Sequence, residues 1–223
     1  MGVIIALTIL VAWAAHLAYI LAGLEIDYAS PWFYFHILLQ AYLYTGLFIT
    51  GHDAMHGVVS SNRPVNQAIG YTVVFLYAGM WYRKLIRYHG MHHQFPGTER
   101  DPDYSTGSQN FFVWWFRFMI HYITWIQLLI MAALYNILTI WLSDRQVILF
   151  WVLPAVLSTF QLFYFGTYVP HKRPHTGQMG PHKARTLAKS HLLAMITCYF
   201  FGYHREHHES PRTPWWQLYR LKS

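Results

Sequence analysis

Near the end of the chain, residues 203–211 read YHREHHESP, with histidines at positions 204, 207 and 208. Offsets of three and four residues place side chains on one face of an α-helix, whereas on a strand residues three apart point to opposite faces. The same spacing occurs in residues 89–93, HGMHH, and its i, i+4 half occurs in residues 52–56, HDAMH. Eight of the fifteen histidines therefore lie in three short clusters, each suited to a helix.

The three clusters predict a metal site. Neutral imidazole is the commonest nitrogen ligand in proteins, and clusters with only nitrogen donors suit iron, copper, nickel or zinc rather than magnesium or calcium. One such cluster is equally compatible with an exposed helix, but three of them in 223 residues are not. The single cysteine, Cys198, excludes intrachain disulfides, cysteine-ligated zinc and iron–sulfur clusters, so that histidine must hold the metal.

The composition is that of a membrane protein. Hydrophobic residues make up 55% of the chain and aromatic residues 19%, while charged residues make up only 11%. A typical soluble domain has about 25% charged residues. No polar linker divides the sequence, which indicates a single membrane-embedded domain over residues 1–223.

Four of the apolar segments have the length and composition of transmembrane helices. About twenty apolar residues cross a hydrocarbon core as a helix. In the segment 111–142, Trp114, Trp115 and Arg117 indicate a start in the interface, with the crossing beginning near Phe118. Two shorter segments, 68–82 and 187–203, are predicted to stay on one side. The predicted crossings are 3–24, 32–50, 118–142 and 147–169.

A shared metal site fixes the topology, because the three clusters must then lie on the same side of the membrane. Of the sixteen Lys and Arg residues, only Arg145 lies on the opposite side, so the positive-inside rule makes the metal side cytoplasmic. This distribution explains the net charge of +7 without a nucleic-acid partner. The sequence thus predicts a multi-pass, all-α integral membrane protein with four transmembrane helices, interfacial helices and both termini in the cytoplasm. The segments predicted to be cytoplasmic are 52–65, 83–110 and 171–223, with 25–31 and 143–146 opposite.

The histidines outside the clusters differ in how close they come to the site. At about 1.5 Å per residue, His16 and His36 lie about 20 Å or more from the metal side, and we expect them to form an interhelical hydrogen bond. His171 ends the fourth span on the metal side and is the preferred ninth ligand, with His191 as the alternative. The predicted ligands are His52, His56, His89, His92, His93, His171, His204, His207 and His208.

The number of imidazoles decides between metal chemistries. Residues 52–56 resemble a His-Glu-x-x-His zinc motif with Asp in place of Glu, but a zinc protease needs three ligands and would leave most of the histidines idle. Bis-imidazole haem would use histidines deep within facing spans. Two iron ions that activate dioxygen use the whole set, and no catalytic residue beyond the ligands is predicted. Carboxylates expected to accept the outer ring N–H groups are Asp53, Asp101, Asp103 and Glu206.

The complete pattern resembles the membrane di-iron superfamily of fatty acid desaturases, alkane hydroxylases and carotenoid oxygenases. The sequences around the clusters are more specific and are similar to those of the β-carotene ketolases, over roughly residues 45–216. The segments that carry this resemblance are HDAMHG at 52–57, HGMHH at 89–93 with GT at 97–98 and DPD at 101–103, FGTY at 165–168 with PH at 170–171, FGYH at 201–204, HH at 207–208, SP at 210–211 and TPWW at 213–216.

The resemblance implies an enzyme, an iron-dependent oxygenase that oxidises the 4-position of a β-ionone ring to a ketone. It implies echinenone and canthaxanthin as products from β-carotene, and products such as astaxanthin from hydroxylated carotenoids. Such a reaction consumes O2 and external electrons. Because the sequence has no Gly-x-Gly-x-x-Gly fingerprint and no cysteine cluster, we expect a ferredoxin-like electron donor that docks on the basic cytoplasmic face.

Two other classes of function share some of these features. A carotenoid hydroxylase or a fatty acid desaturase would have the same histidines in a different sequence context. A non-catalytic metal-binding or metal-transport membrane protein would place its functional histidines deep within the spans. The sequence leaves open the partition of ligands between the two ions, the preference for hydroxylated or unmodified rings and the oligomeric state.

Overall fold

A computed structural model describes residues 1–222, and over that range the protein is helical with no strand. Ser223, the last residue of the predicted cytoplasmic segment, lies outside the described residues. Two short 3₁₀ helices cover Gly177–Met179 and Trp215–Arg220. The other helices are α1 (Gly2–Gly23), α2 (Pro31–Met55), α3 (Arg63–Ala78), α4 (Tyr82–Gln94), α5 (Phe111–Tyr122), α6 (Trp125–Leu138), α7 (Asp144–His171), α8 (His191–Cys198) and α9 (His204–Glu209).

Three helices, α1, α2 and α7, are long and apolar enough to cross a membrane. Helices α5 and α6 pass the same test only as a pair, and their axes are bent by 92° at the break between them. The apolar helices support an integral membrane protein, and four crossings are reached when the bent pair counts as one. Helix α7 is continuous over 28 residues and contains two π-helical stretches, Ile148–Val152 and Tyr164–Tyr168.

The bend between α5 and α6 differs from the prediction that a single crossing begins near Phe118. Helix α5 continues to Tyr122, Ile123 is extended, and Thr124 caps the next helix by accepting the backbone N–H of Gln127 at 3.2 Å. The capping hydroxyl satisfies a backbone donor that would otherwise be unpaired at the start of a helix in apolar surroundings. Because the residues on both sides of Thr124 are apolar, the hydropathy pattern does not reveal this break.

The two short apolar segments form short helices, consistent with the expectation that neither crosses the membrane. Helix α3 has 16 residues and ends at Gly79, whose left-handed backbone (φ +64°) turns the chain into α4. Helix α8 has only eight residues, and the left-handed Tyr199 and Phe200 follow it. Since a crossing needs about twenty helical residues, both helices are too short to span a bilayer alone.

Helix α2 is the centre of the bundle, because α1, α3 and α7 all pack against it. Its residues Tyr44, Leu47 and Ile49 are completely buried in the main apolar core. A smaller cluster near the other end joins α1, α2 and α7 through Ile20, Phe33 and Phe150. Helix α2 therefore has a fixed orientation, and its C-terminal turn, which carries the first histidine cluster, is held in place.

The two histidines predicted to lie far from the metal side bond to each other between α1 and α2. His16 Nε2 lies 3.0 Å from His36 Nδ1, and His16 Nδ1 lies 2.6 Å from Oε1 of the buried Gln40. This geometry confirms the expected interhelical hydrogen bond. Polar pairs of this kind contribute about 1 kcal/mol to helix association in a membrane.

We predict that Gly51→Ala destabilises the protein. A Cβ built on Gly51 would lie 2.5 Å from Cγ1 of Val74, so that α2 and α3 would have to separate. Overpacking of this kind costs about 1–3 kcal/mol. The midpoint of thermal unfolding, measured on purified protein in detergent, should fall.

The matched control is Gly90→Ala in α4, where a Cβ would meet no atom within 4 Å. This variant should keep or raise the midpoint, because alanine favours helix over glycine by about 1 kcal/mol. Equal midpoints for the two variants would contradict the close α2–α3 packing.

Candidate metal centre

Four helix segments bring histidines to one end of the bundle. The last turn of α2 carries His52, and His56 caps this helix. The last turns of α4 carry the second cluster, α9 carries the third, and α7 ends at His171. Side chains at i, i+3 and i+4 share one face of a helix, so each segment presents its imidazoles toward the same centre.

The nine histidines form two groups, and in each group one nitrogen from every residue lies within 4.8 Å of the others. Helices α4 and α9 each contribute to both groups. The first group consists of His52, His56, His89, His93 and His207. The second group consists of His92, His171, His204 and His208.

In both groups the Nε2 atoms converge. In the first group, Nε2 of His56 lies 2.7 Å from that of His89, and Nε2 of His93 lies 3.0 Å from that of His207. In the second group, Nε2 of His208 lies 3.1 Å from Nε2 of both His92 and His204. Two nitrogens bound at about 2.1 Å to one ion at right angles would be about 3 Å apart. The spacing therefore fits two metal ions held by nitrogen ligands.

The outer nitrogen of His171 explains why this residue points inward. Its Nδ1–H donates to the backbone carbonyl of Lys183 at 3.0 Å, and its Nε2 is buried without a hydrogen-bond partner among residues 1–222. A buried, unpartnered nitrogen costs free energy unless a ligand satisfies it. The carbonyl also fixes the tautomer that leaves Nε2 free to bind a metal.

His191 lies elsewhere. Its Nδ1 is 3.0 Å from the hydroxyl of Tyr203, and it belongs to neither histidine group. The structure thus brings together the eight cluster histidines and His171, and it separates His191 from them. His182, which the sequence did not single out as a ligand, has its ring 5.5 Å from that of His208.

Asp101 is the carboxylate that contacts a group member most directly. Both of its oxygens accept from His92 Nδ1, at 3.0 and 3.1 Å, and it also accepts the backbone N–H groups of Gly97 and Asp103. Asp103 lies 3.8 Å from the same nitrogen and accepts the hydroxyl of Tyr122. The two aspartates therefore hold the ring of His92 from the side opposite the second group.

The other two predicted carboxylates have different surroundings. Asp53 lies 3.6 Å from His52 Nδ1 and accepts the backbone N–H of Trp215 at 3.0 Å. The buried carboxylate of Glu206 pairs with Lys222 at 3.7 Å and with Arg205 at 4.0 Å, and it has no hydrogen bond to an imidazole in the described part of the chain. Glu206 thus faces away from the groups, because it is two residues after His204 in α9 and so lies on the opposite face of this helix.

Burial keeps most of the α4 and α9 histidines uncharged. It is the main cause that lowers the pKa of His93 to about 2, and the neighbouring His56 and His92 lower this pKa further. Burial, followed by neighbouring histidines, also holds the pKa values of His89, His204, His207 and His208 well below the usual range. Neutral imidazole is the form that binds metal.

His92 is the exception. Burial lowers its pKa, but the charge of Asp101 and the hydrogen bond from the ring to Asp101 outweigh burial, so that the pKa is raised. A carboxylate on the outer nitrogen makes the ring a more basic ligand, which is a common arrangement at metal sites.

An apolar cavity of about 290 Å³ borders the histidine groups. His52, His89, His92 and His204 form its polar end, together with Asp103 and Tyr122. This volume is just below the range of about 300–1,000 Å³ that is usual for ligand sites, which suits one ring rather than a long molecule. The apolar lining includes Phe48, Met55, Tyr77, Leu85, Phe118, Met131, Trp151, Leu162 and Phe201.

The chain matches known proteins over nearly its whole length. Residues 29–136 and 119–223 match the family model described as fatty acid desaturase. The chain is 42% identical to a β-carotene ketolase of a Paracoccus species, over 79% of this chain and 74% of the relative. It is 38% identical to a zeaxanthin 4-ketolase of Chlamydomonas reinhardtii, over 97% of this chain and 52% of the relative.

A β-carotene ketolase of Haematococcus lacustris is 38% identical over 81% of this chain and 59% of the relative. The chain thus spans between about half and three quarters of the length of these three relatives. No solved structure matches it. The matched family model and the identity to the Paracoccus protein show that this chain belongs to the fatty acid desaturase family and, within it, to the β-carotene ketolases.

Proposed function

We propose that this protein is a carotenoid 4-ketolase, a membrane oxygenase that converts the 4-position of a β-ionone ring to a ketone. Its products from β-carotene are echinenone and canthaxanthin, and hydroxylated carotenoids such as zeaxanthin lead toward astaxanthin. One observation supports this proposal above the others. Four group histidines, His52, His89, His92 and His204, form one end of an apolar cavity sized for a ring.

The nine histidines are proposed to hold two iron ions, five imidazoles at one and four at the other. When bound, the iron pair activates dioxygen for insertion of oxygen into a C–H bond. Burial keeps most of the α4 and α9 imidazoles neutral, and the protein orients two of the nine rings through their outer nitrogens. Asp101 holds the ring of His92, and the carbonyl of Lys183 holds that of His171.

Ketone formation requires two oxygen insertions at one carbon. Each insertion consumes one dioxygen, two electrons and two protons, releases one water and converts a C–H bond to C–OH. The resulting gem-diol loses water to give the ketone. The electrons come from a ferredoxin-like donor, and the basic residues on the proposed cytoplasmic side would attract such an acidic protein.

The apolar cavity positions the ring and excludes water from the reacting carbon. Rings of Phe48, Phe118 and Phe201 form part of its wall. Carotenoids dissolve in the bilayer, and a cavity beside membrane helices admits one ring while the polyene chain remains in the lipid. The cavity volume supports this half-inserted arrangement, since it is too small for a whole carotenoid.

The proposed topology has four crossings, made by α1, α2, the bent pair of α5 and α6, and α7, with both termini in the cytoplasm. The convergence of the histidine groups supports it, because their segments must share one side. The distribution of Lys and Arg, with only Arg145 opposite, supports the cytoplasmic assignment.

Expression in a host that accumulates β-carotene tests the activity. We expect echinenone and canthaxanthin, identified by chromatography and mass. Hydroxylated products would instead indicate a carotenoid hydroxylase, and altered fatty acids with unchanged pigments would indicate a desaturase.

Replacement of the proposed ninth ligand tests the metal centre. His171→Ala should abolish ketone formation and lower the iron content below two ions per chain, because His171 Nε2 faces the second group. His191→Ala is the matched control and should keep both, since His191 bonds to Tyr203 instead. Activity and iron content are compared at equal amounts of membrane protein.

The assignment fails if His171→Ala keeps its iron and activity while His191→Ala loses both. Activity that follows zinc rather than iron would contradict the iron proposal.

Labelling with a membrane-impermeant thiol reagent tests the topology in a Cys198→Ala background. Cysteines at Ser61 and at Glu99, which are both exposed, should be labelled only from the cytoplasmic side. A cysteine at the exposed Ala29 should be labelled from the opposite side. Labelling of positions 61 and 99 from different sides would exclude a shared metal centre.

A further inference from the structure

The amide of Gln127, a polar side chain in the cavity wall, has no hydrogen-bond partner within residues 1–222. Gln127 lies in the first turn of α6, lines the cavity and is only 9% exposed. Its backbone N–H donates to Thr124. Its side-chain amide makes no hydrogen bond within residues 1–222. An amide group with two donor hydrogens and an acceptor oxygen therefore faces an apolar cavity.

Neighbouring polar groups in the same wall are satisfied by the protein. The hydroxyl of Thr159 donates to the carbonyl of Val156 at 2.7 Å and accepts the indole N–H of Trp115 at 3.1 Å. The hydroxyl of Tyr122 donates to Asp103. The hydroxyl of Thr167, in the π-helical stretch before His171, also lacks a hydrogen-bond partner among the described residues.

The hydroxyl of Thr167 and the amide of Gln127 differ in whether they need a ligand as a hydrogen-bond partner. A threonine hydroxyl in a helix is small and can rotate toward a carbonyl of its own helix. The longer glutamine side chain extends away from its helix, and its Cγ lies near Gly79, 3.7 Å from the position of a Cβ built there. The residue is mostly buried, but its amide is open to the space of the cavity, so a ligand in this cavity is expected to supply the missing hydrogen bond.

An unmodified β-ionone ring is a hydrocarbon and can offer no hydrogen bond. A ring hydroxyl is both donor and acceptor, which matches the amide. Because the cavity has about the volume of one ring, a polar group in its wall can reach the substituents of the ring held there. The same cavity ends at His52, His89 and His92, so this ring is the one presented for oxidation.

We propose that Gln127 hydrogen-bonds the hydroxyl of a ring-hydroxylated carotenoid and thereby makes the enzyme favour hydroxylated over unmodified rings. The proposal rests on the proposed ketolase function and adds a specificity-determining residue to it. The oxidation itself is unchanged, with the same consumption of dioxygen and electrons. Gln127 contributes to substrate binding and orientation, and it takes no part in bond breaking.

The test measures kcat/KM of the purified, iron-loaded enzyme for zeaxanthin and for β-carotene. In Gln127→Met, which keeps the length of the side chain and removes the amide, the preference for zeaxanthin should fall about tenfold. The kcat/KM for β-carotene should stay the same or rise. Quenching of tryptophan fluorescence by each carotenoid gives the same comparison for binding alone, independent of turnover.

Thr159→Val is the matched control, because it removes a cavity hydroxyl that the protein already satisfies. It should leave the ratio of the two kcat/KM values unchanged. Gln127→Asn, which retains an amide on a shorter side chain, should keep part of the preference and serves if the Met variant does not accumulate.

Equal losses for both carotenoids in Gln127→Met would overturn the proposal. A change of the ratio in Thr167→Val but not in Gln127→Met would also overturn it, because Thr167 would then be the residue that binds the carotenoid hydroxyl. Failure of the ketolase function itself gives a different result, since the unmodified protein would then form no ketone from either carotenoid.

Discussion

The convergence of nine imidazoles, most of them buried, at one end of a helical bundle is the constraint on which the rest of the structure depends. In both groups, Nε2 atoms of neighbouring rings lie 2.7–3.1 Å apart. Without a metal, each such pair would need a shared proton to avoid repulsion between the two nitrogen lone pairs. A metal ion at each group would relieve this repulsion between lone pairs. The surrounding helices must hold the rings in place, because a displacement of about 1 Å would break the coordination geometry.

This constraint explains the short helices. The second cluster is near the end of α4, and it reaches the first cluster only because Gly79 reverses the chain after α3. The third cluster follows α8, whose eight residues end at two left-handed residues before the chain enters α9. Helices α3 and α8 are both short, so the histidine clusters that follow them lie near the end of α2.

The sequence predicted the parts of the site that depend on local periodicity. The i, i+3 and i+4 spacing placed the eight cluster histidines on common helix faces, and the end of a long apolar run placed His171 beside them. Hydropathy also identified α1, α2 and α7 as long apolar helices. These features are encoded by residues within a few turns of one another.

The parts of the structure that the sequence did not predict depend on a single local cap or on contacts between distant segments. The bend before α6 depends on one capping threonine within an apolar run, and no change of composition marks it. The carbonyl that orients His171 belongs to Lys183 in a loop, where any residue would supply the same atom. Glu206, although adjacent to ligands in sequence, pairs with Lys222, and the unpartnered amide of Gln127 is evident only from the cavity around it.

The sharing of α4 and α9 between the two histidine groups has a mechanical consequence. Helix α4 places His89 and His93 in the first group and His92 in the second, while α9 places His207 in the first and both His204 and His208 in the second. A short rigid helix cannot rotate for one group without moving its residues in the other. Any displacement of α4 or α9 therefore moves histidines of both groups at once, so the spacing of the nitrogens in one group depends on the spacing in the other.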